Sequence, residues 1–361
     1  MTYAEITGWG KALPPIVLSN SDLERIVDTN DDWITSRTGM KERRISHVEV
    51  SELSTVAAAQ ALAAAGLEPG DVDLLITATC TPETIIPPTS AVVQSKLGLN
   101  RAGAFDLNAN CSGFVYGMVV ASDMIKSGSV KRVLLVGAEK LSYIVDYTDR
   151  TTCVLFGDAA GAAVLEATDE PVGVLASELG VDGDAAPFLC VPQFGTLGGP
   201  GPRDPEHASL YMEGQEVFRR AVTKMGEASV NVVGAAGWSL DDVDLLIPHQ
   251  ANLRIIDATA RRLGIESSKV FVNVHAYGNT SAATVPVALT EALESGRVTP
   301  GAHLVFAAFG GGLTWAAAAV RWGNRVEPLA TSDMRVPDTD KTVWDVLEPN
   351  FEFFGRGGDR E

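Results

Sequence analysis

A hexapeptide repeated at long range constrains this chain more than any other feature. The string DVDLLI occupies Asp71–Ile76 and returns at Asp242–Ile247, 171 residues later. Its surroundings repeat as well. A run with helical period ends in Ala65-Gly66 before the first copy and in Ala236-Gly237 before the second. After each copy another such run ends in Leu-Gly, at Leu97-Gly98 and Leu263-Gly264, followed by AGAFDL or KVFVNV, which read as strands. A further helical run closes with Ser127-Gly128 or Ser295-Gly296, and an apolar strand follows, VKRVLLVGAE or GAHLVFAAFG. Each half finishes on one more strand, within Val154–Ala167 and Gly310–Trp322. Strands alternating with helices imply a parallel-rich α/β architecture whose sheets are covered by helices.

One short coincidence would carry little weight, but the same order kept twice implies duplicated halves. They divide as residues 1–171 and 172–323, with 324–361 as an extension outside the repeat. Residues 1–50 and 168–215 read as loop-rich insertions, the second through its Gly/Pro-dense FGTLGGPGPRDPEH. The extension contains Pro328, Pro337 and Pro349 and no helical period. It either docks through Trp344, Phe351, Phe353 and Phe354 or stays disordered.

The duplication directs attention to helix starts. AFDLNAN runs into Cys111 before one helix, and VFVNVHAYG runs into Asn279 before the other. Counted back from Gly128 and Gly296, Cys111 and Asn279 fall at equivalent positions, both at the carboxyl ends of strands, where sites form in α/β sheets. A helix N-terminus lowers a thiol pKa, so Cys111 is a candidate nucleophile. His249, in IPHQANLRII, sits at the end of the second DVDLLI strand on the same rim. His47, His207 and His303 lack such a context and read as structural or surface. The run Gly310–Gly312 is either a tight turn or a close backbone approach that turns N–H groups toward a developing oxyanion.

Charge and cysteine content narrow the partners. Lys+Arg number 28 against 46 Asp+Glu, a net charge of −18, which argues against broad nucleic-acid or anionic-membrane binding. No run reaches the roughly 18–20 apolar residues needed to cross a bilayer, and MTYAEITGWGKALPP lacks the apolar core of a signal peptide. Cys80, Cys111, Cys153 and Cys190 form neither a CxxC pair nor a Cys/His cluster, so neither a zinc site nor a disulfide framework is expected. Four free thiols imply a reducing cytoplasm.

Cys111, His249 and Asn279 lie within NCSGF, PHQAN and YGNTSAA. Together with VDTNDDWITSRTGMKERRI, LFGDAAGAAVL and FGGGLTW, these motifs resemble those of β-ketoacyl-acyl-carrier-protein synthase III, of the thiolase superfamily, over roughly residues 3–322. The resemblance implies a thiolase-like five-layer αβαβα fold of two duplicated halves. It also implies a decarboxylating Claisen condensation of an acyl-CoA primer with malonyl-acyl-carrier protein that initiates fatty-acid synthesis. Cys111 would carry the acyl group, His249 and Asn279 would hold the enolate, and the N–H groups of Cys111 and Gly311 would form a second oxyanion site. Trp33 and Arg37 match an adenine-stacking pair, and Thr29, Arg150 and Asn252 match phosphate or pantetheine contacts. Ile86 and Phe309 would border the acyl pocket, Ile86 across a homodimer. No metal or redox cofactor is implied, and the enzyme would be cytoplasmic.

Three departures and one patch complete the reading. Ile86 stands where many members have Phe, His275-Ala276 where well-known members have Asp-Arg, and Thr151 where some have Gly. The first allows a longer or branched primer. Arg254, Arg261 and Arg262 share one helical face, with Arg219 and Arg220 adding to it, and read as a docking patch for the acidic carrier protein. The competing readings are a synthase III-like enzyme priming a polyketide pathway, and an acyltransferase of secondary metabolism that moves acyl groups to an alcohol or amine. Relatives of the latter tend to lose the Asn, so Asn279 favours carbon–carbon bond formation.

Overall fold

The computed structural model describes residues 1–355 except 194, 200, 202, 203 and 206. Part of the Gly/Pro-dense segment, Phe194, Pro200, Pro202, Arg203 and Glu206, therefore lies outside the described residues. One hydrogen-bonded sheet contains β1 (Tyr3–Ala12), β2 (Leu74–Ala78), β3 (Gly103–Leu107), β4 (Arg132–Lys140), β5 (Asp158–Thr168), β6 (Gly173–Val181), β7 (Leu245–Pro248), β8 (His303–Gly310) and β9 (Thr314–Arg321). The helices around it are α1 (Asp31–Thr38), α2 (Val50–Ala65), α3 (Thr89–Leu97), α4 (Gly113–Lys126), α5 (Gly214–Ala235), α6 (Leu253–Leu263), α7 (Thr284–Glu294) and α8 (Val343–Phe353).

The strand order β7-β8-β9-β6-β1-β5-β4-β2-β3 is a four-strand unit written twice, with β3 added at the edge of the first half. In the first half β1 is antiparallel to β5, β5 antiparallel to β4, and β4 parallel to β2. In the second half β6 is antiparallel to β9, β9 antiparallel to β8, and β8 parallel to β7. The two runs meet at a parallel bridge between Ala4 and Gly173, next to the division drawn at 171/172. Helices α2 and α3 cover the outside of the first half-sheet, α5 and α6 flank the second, and α4 and α7 lie between the two. The result is the five-layer αβαβα fold.

Burial on both faces explains the continuous apolar strands. In β2, Leu74 and Ile76 pack toward the central helices with Phe114 and Met118, while Leu75 packs outward with Leu53 and Ala61 of α2. The repeated motif has its own physical cause. Asp71 and Asp242 accept from the backbone N–H of Glu68 and Ser239 and close a short turn. Asp73 and Asp244 accept from the N–H of Arg132 and His303, tying the entry of the neighbouring strand. The glycines that close the repeated helices all take positive φ: Gly66, Gly98, Gly128, Gly237, Gly264 and Gly296 lie between 68° and 77°. This is the left-handed end that glycine supplies without steric cost.

Three expectations need correction. Residues 1–50 are not mainly loop, and 168–215, though loop-rich, is not only loop: the two segments supply β1 and β6, the first strand of each half. β1 is masked in the sequence by Gly8 and Gly10, where a Cβ would stand 2.1 Å and 2.4 Å from the carbonyl oxygens of Ala61 and Ala57 in α2. KVFVNV forms one bridge, Val270 to Leu246, rather than a strand. Beyond it the Gln250 side chain takes the N–H groups of Asn273 and Val274, so the chain turns away from the ladder.

The extension is not without helical period. Val343, Leu347 and Phe351 are buried along one side of α8, and Thr342 and Asp345 form a capping box at its start. Asn350 Nδ2 donates to the carbonyls of Ser142 and Val145, and Arg25 lies over the Trp344 ring. Phe353 remains 40% exposed.

Candidate active site

Strand ends gather the chemistry. Cys111 follows β3, His249 follows β7, and Gly310 ends β8, so all three stand at carboxyl ends of strands. A cavity of about 250 Å³ is lined by Cys111, His249, Asn279, Ser281, Phe309 and Gly311, with Asn252 also on its wall. Gly310 packs directly on the backbone of Cys111, because a Cβ there would lie 2.6 Å from the Cys111 nitrogen. The glycine run is therefore a close approach as well as a turn. The N–H groups of Cys111 and Gly311 and the Ser281 side chain favour the Cys111 thiolate.

Counting back from the helix ends set the equivalence of the two halves wrongly. α4 has 14 residues and α7 has 11, so their starts are offset differently from their ends. Both begin after a 3-10 turn whose first residue has positive φ, Asn110 at 50° and Ser281 at 49°. Aligned on that kink, Cys111 corresponds to Ala282 and Asn279 to Asn108. Cys111 and Asn279 share the cavity without being equivalent residues.

Electrostatics correct a second expectation. Burial outweighs the helix start: it pushes Cys111 up to about 12, against the lowering effect of the Ser281 side chain and of the Cys111 and Gly311 N–H groups. Burial also holds His249 as a neutral imidazole, with its pKa lowered to about 3. Its Nδ1 lies 2.6 Å from Thr284 Oγ1, and that hydroxyl also reaches the Ser281 carbonyl at 2.9 Å. Donated to the Ser281 carbonyl, the single Thr284 proton leaves the ring proton on Nδ1; turned to Nδ1 instead, it puts the ring proton on Nε2. Asn279 Oδ1 accepts from the Ser281 N–H at 2.8 Å, which fixes the amide plane.

The model for the N-terminal part of 3-oxoacyl-[acyl-carrier-protein (ACP)] synthase III matches residues 105–183, and that for its C-terminal part matches 233–322. A Vibrio cholerae β-ketoacyl-[acyl-carrier-protein] synthase III 2 is 49% identical over 350 residues, covering 97% of each chain. The chain belongs to the 3-oxoacyl-[acyl-carrier-protein] synthase III family. It is thus a condensing enzyme of the acyltransferase class. The crystal structure of synthase III from Aquifex aeolicus VF5 superposes with a TM-score of 0.84 at 45% identity, covering 88% of this chain and 100% of that one. A priming β-ketosynthase from the R1128 polyketide pathway superposes equally, 0.84, at 34% identity, covering 89% and 97%.

The remaining residues singled out in the sequence of this synthase III fall in three places. Trp33, on α1, has two guanidiniums over its ring, Arg37 at 4.8 Å and Arg150 at 5.1 Å. Arg150 Nη1 also donates to the Asp28 carbonyl, and Thr29 Oγ1 is buried with no hydrogen-bond partner among the described residues. This cluster neighbours Asn252, the N-cap of α6, because Gly39 at the end of α1 packs on Leu253. Ile86 is 86% exposed and does not reach the cavity of its own chain. Arg254 and Arg261 are exposed on α6, whereas Arg262 and Arg219 face Glu227 and Glu216, and Arg220 pairs with Asp182. His275 is exposed outside the cavity and leaves the site's hydrogen bonding untouched.

Sequence reasoning missed Ser281, Thr284, Glu139 and Cys80. Ser281 and Thr284 follow Asn279 within NTSAAT, and their spacing from it, two and five residues, is the turn-and-helix spacing that returns a side chain to the same site. Glu139 in VGAEK is an acid inside an apolar strand, which is itself a signal. None of the four cysteines is in a disulfide among the described residues. Among the described residues no cluster of three or more His, Cys, Asp or Glu could hold a metal, and no helix is long and apolar enough to cross a membrane.

Proposed function

We propose that this synthase III condenses an acyl-CoA primer with malonyl-acyl-carrier protein, with loss of CO₂, to give the 3-oxoacyl-carrier protein that begins a fatty acid. The observation that carries the reading is the convergence of Cys111, His249, Asn279 and the Gly311 backbone on one buried cavity. Cys111 attacks the acyl-CoA carbonyl and CoA leaves as a thiol. The N–H groups of Cys111 and Gly311 face the oxygen of that tetrahedral intermediate. Malonyl-acyl-carrier protein then loses CO₂, and its α-carbon attacks the acyl-cysteine, releasing the Cys111 sulfur.

The enolate formed on decarboxylation needs neutral donors. Asn279 Nδ2 is one, and His249 Nε2 is the other once Thr284 donates to Nδ1. A neutral ring suits this task, since a charged one would be costly in so buried a place. Decarboxylation supplies the driving force, so the reaction calls for no metal or redox cofactor.

The other assignments follow from placement. Trp33, with Arg37 and Arg150 beside its ring, supports a stacking site for the adenine of CoA that the guanidiniums would open to admit, with Thr29 and Asn252 as further contacts. Phe309 walls the acyl pocket. Ile85 and Ile86 are both 86% exposed, and the edge strand β3 leaves Phe105 36% exposed, which supports a homodimer that covers them and brings Ile86 to a second copy's pocket. Arg254 and Arg261, with Arg219 and Arg262 behind them, present the face for an acidic carrier protein. The enzyme acts in the cytoplasm, in keeping with its free thiols.

A panel of acetyl-, isobutyryl-, octanoyl- and lauroyl-CoA, each with malonyl-acyl-carrier protein, tests the reading. Formation of 3-oxoacyl-carrier protein with at least one primer is expected, together with a mass increase on Cys111; acylation elsewhere would sink it. The likeness to the R1128 enzyme favours one second reading, the same chemistry priming a polyketide. Acceptance of the malonyl-carrier protein of a polyketide system over that of fatty-acid synthesis would select it.

A further inference from the structure

We propose that the C-terminal helix α8 sets which acyl primer this synthase takes, by holding from behind the segment that carries Leu141 and Ile144 into the cavity wall. The inference rests on the acyl-CoA reading above and adds what selects the acyl group. Leu141 and Ile144 line the cavity that holds Cys111, and both are buried. They lie just after β4, in a 3-10 turn over Leu141–Tyr143 and the residues that follow it, with Val145 and Tyr147 buried beside them.

The segment satisfies its own N–H groups but not its carbonyls. The N–H groups of Ile144 and Val145 donate back to the Leu141 carbonyl at 2.9 and 3.1 Å. The Ile144 carbonyl accepts from the N–H of Leu210, another cavity residue, at 2.9 Å. The carbonyls of Ser142 and Val145 accept from one group on α8, Asn350 Nδ2, at 3.1 and 2.7 Å. A flipped amide would set its oxygen against both carbonyls, so the two bonds fix its orientation. Rings extend the hold. Phe351 meets Tyr147 edge-on with centroids 6.2 Å apart, and on its other side stacks with Trp344 at 6.4 Å. Leu347 and Phe351 share one hydrophobic core with Leu141, Ile144 and Phe309, so packing runs unbroken from α8 to the wall around the acyl group.

α8 itself contributes no residue to the cavity lining. Asn350 is therefore a positioning residue, acting through Ile144 and Leu141. Close-packed interiors transmit such a constraint. One methylene more or less in a hydrophobic pocket changes discrimination roughly 10–200-fold, so a small shift of Ile144 is enough to change the favoured chain. Without the Asn350 donors the buried carbonyls of Ser142 and Val145 must find other partners, and the segment moves with them. The wall then yields to a longer acyl chain and grips a short one less closely.

Acylation of Cys111, followed by intact-protein mass with acetyl-, isobutyryl-, octanoyl- and lauroyl-CoA, tests this in the full chain carrying Asn350→Ala. The ratio of the octanoyl to the acetyl rate constant is expected to rise about tenfold over wild type. All four primers share CoA, so a disturbed Trp33 site or a general loss of stability would slow every primer alike and leave the ratio unmoved. An unchanged or falling ratio overturns the inference, whatever the absolute rates. Thermal melting shows whether the variant folds. If it does not, Phe351→Leu decides by the same criterion, with a smaller rise of about threefold expected from loss of the ring contact with Tyr147. Failure of the wild type to acylate at Cys111 with any primer would instead refute the acyl-transfer reading itself.

Discussion

α4 and α7 are approached in the same way, each after a 3-10 turn that opens on a residue at positive φ, yet the two turns carry different chemistry. In the first half the residue after the kink is Cys111, whose thiolate two backbone N–H groups favour. In the second half that place is Ala282, and the functional groups lie around it: Asn279 before the kink, Ser281 on it and Thr284 on the first turn of α7. Duplication supplied two equivalent frames. Divergence gave one the Cys111 thiol proposed as nucleophile and the other the polar groups that share its cavity.

The sharpest way to break that contrast is to remove one side at a time. Cys111→Ala should abolish acylation by acyl-CoA, as measured by intact-protein mass. Asn279→Ala and His249→Ala should still take up the acyl group and should slow condensation with malonyl-acyl-carrier protein by about 10²–10³, the usual cost of an oxyanion donor. Equal loss of both half-reactions in Asn279→Ala would mean that the halves do not divide the work.

His249 also gives the contrast a stability readout. Its folded pKa of about 3 lies below the unfolded value of about 6.5. Above the unfolded value both states are neutral and nothing is lost. As pH falls through that window the unfolded chain binds a proton that the folded chain refuses, so stability drops. Urea titrations should show a shallower loss from pH 6.5 downward in His249→Ala than in wild type. Parallel curves would show that the ring is not held neutral.

The parts legible in the sequence were those with local causes. The helix-ending glycines need positive φ, the apolar strands need two covered faces, and both leave marks that a repeat search finds. The motifs around Cys111, His249 and Asn279 were legible for the same reason. What escaped depends on contacts distant along the chain. β1 was hidden because its glycines answer to the backbone of α2, and KVFVNV failed as a strand because Gln250 takes its N–H groups. The thiol pKa was misjudged because a helix start is local and burial is not. Glu139 could be seen as odd, but nothing in the sequence joins it to Ser281, 142 residues away.

A smaller effect is expected at Thr284. Thr284→Val keeps the shape and removes the hydroxyl that faces Nδ1, so the ring is free to place its proton on either nitrogen. Condensation should fall about tenfold while acylation holds, and Thr284→Ser should restore it. A Val variant indistinguishable from wild type would show that Thr284 does not set the tautomer.

The weakest effect concerns the outer face of the second half. The chain carries −18, so an acidic carrier protein is repelled by the molecule as a whole and must be held locally. Arg219, Arg220 and Arg262 already face Glu216, Asp182 and Glu227. Arg254 and Arg261 form no ion pair among the described residues, and Arg254 lies 5.8 Å from the Phe218 ring, near the cavity wall formed by Asn252 and Val217. Arg254→Glu should therefore weaken carrier-protein binding severalfold, about 1 kcal/mol, while CoA binding at Trp33 is unchanged. The difference should vanish at high salt, because exposed charges are screened over roughly 10 Å at 0.1 M and far less at 1 M. Arg262→Glu should do less, since its charge is already met by Glu227. If Arg254→Glu weakened CoA as much as the carrier protein, the arginine would belong to the CoA site and the docking face would have to lie elsewhere.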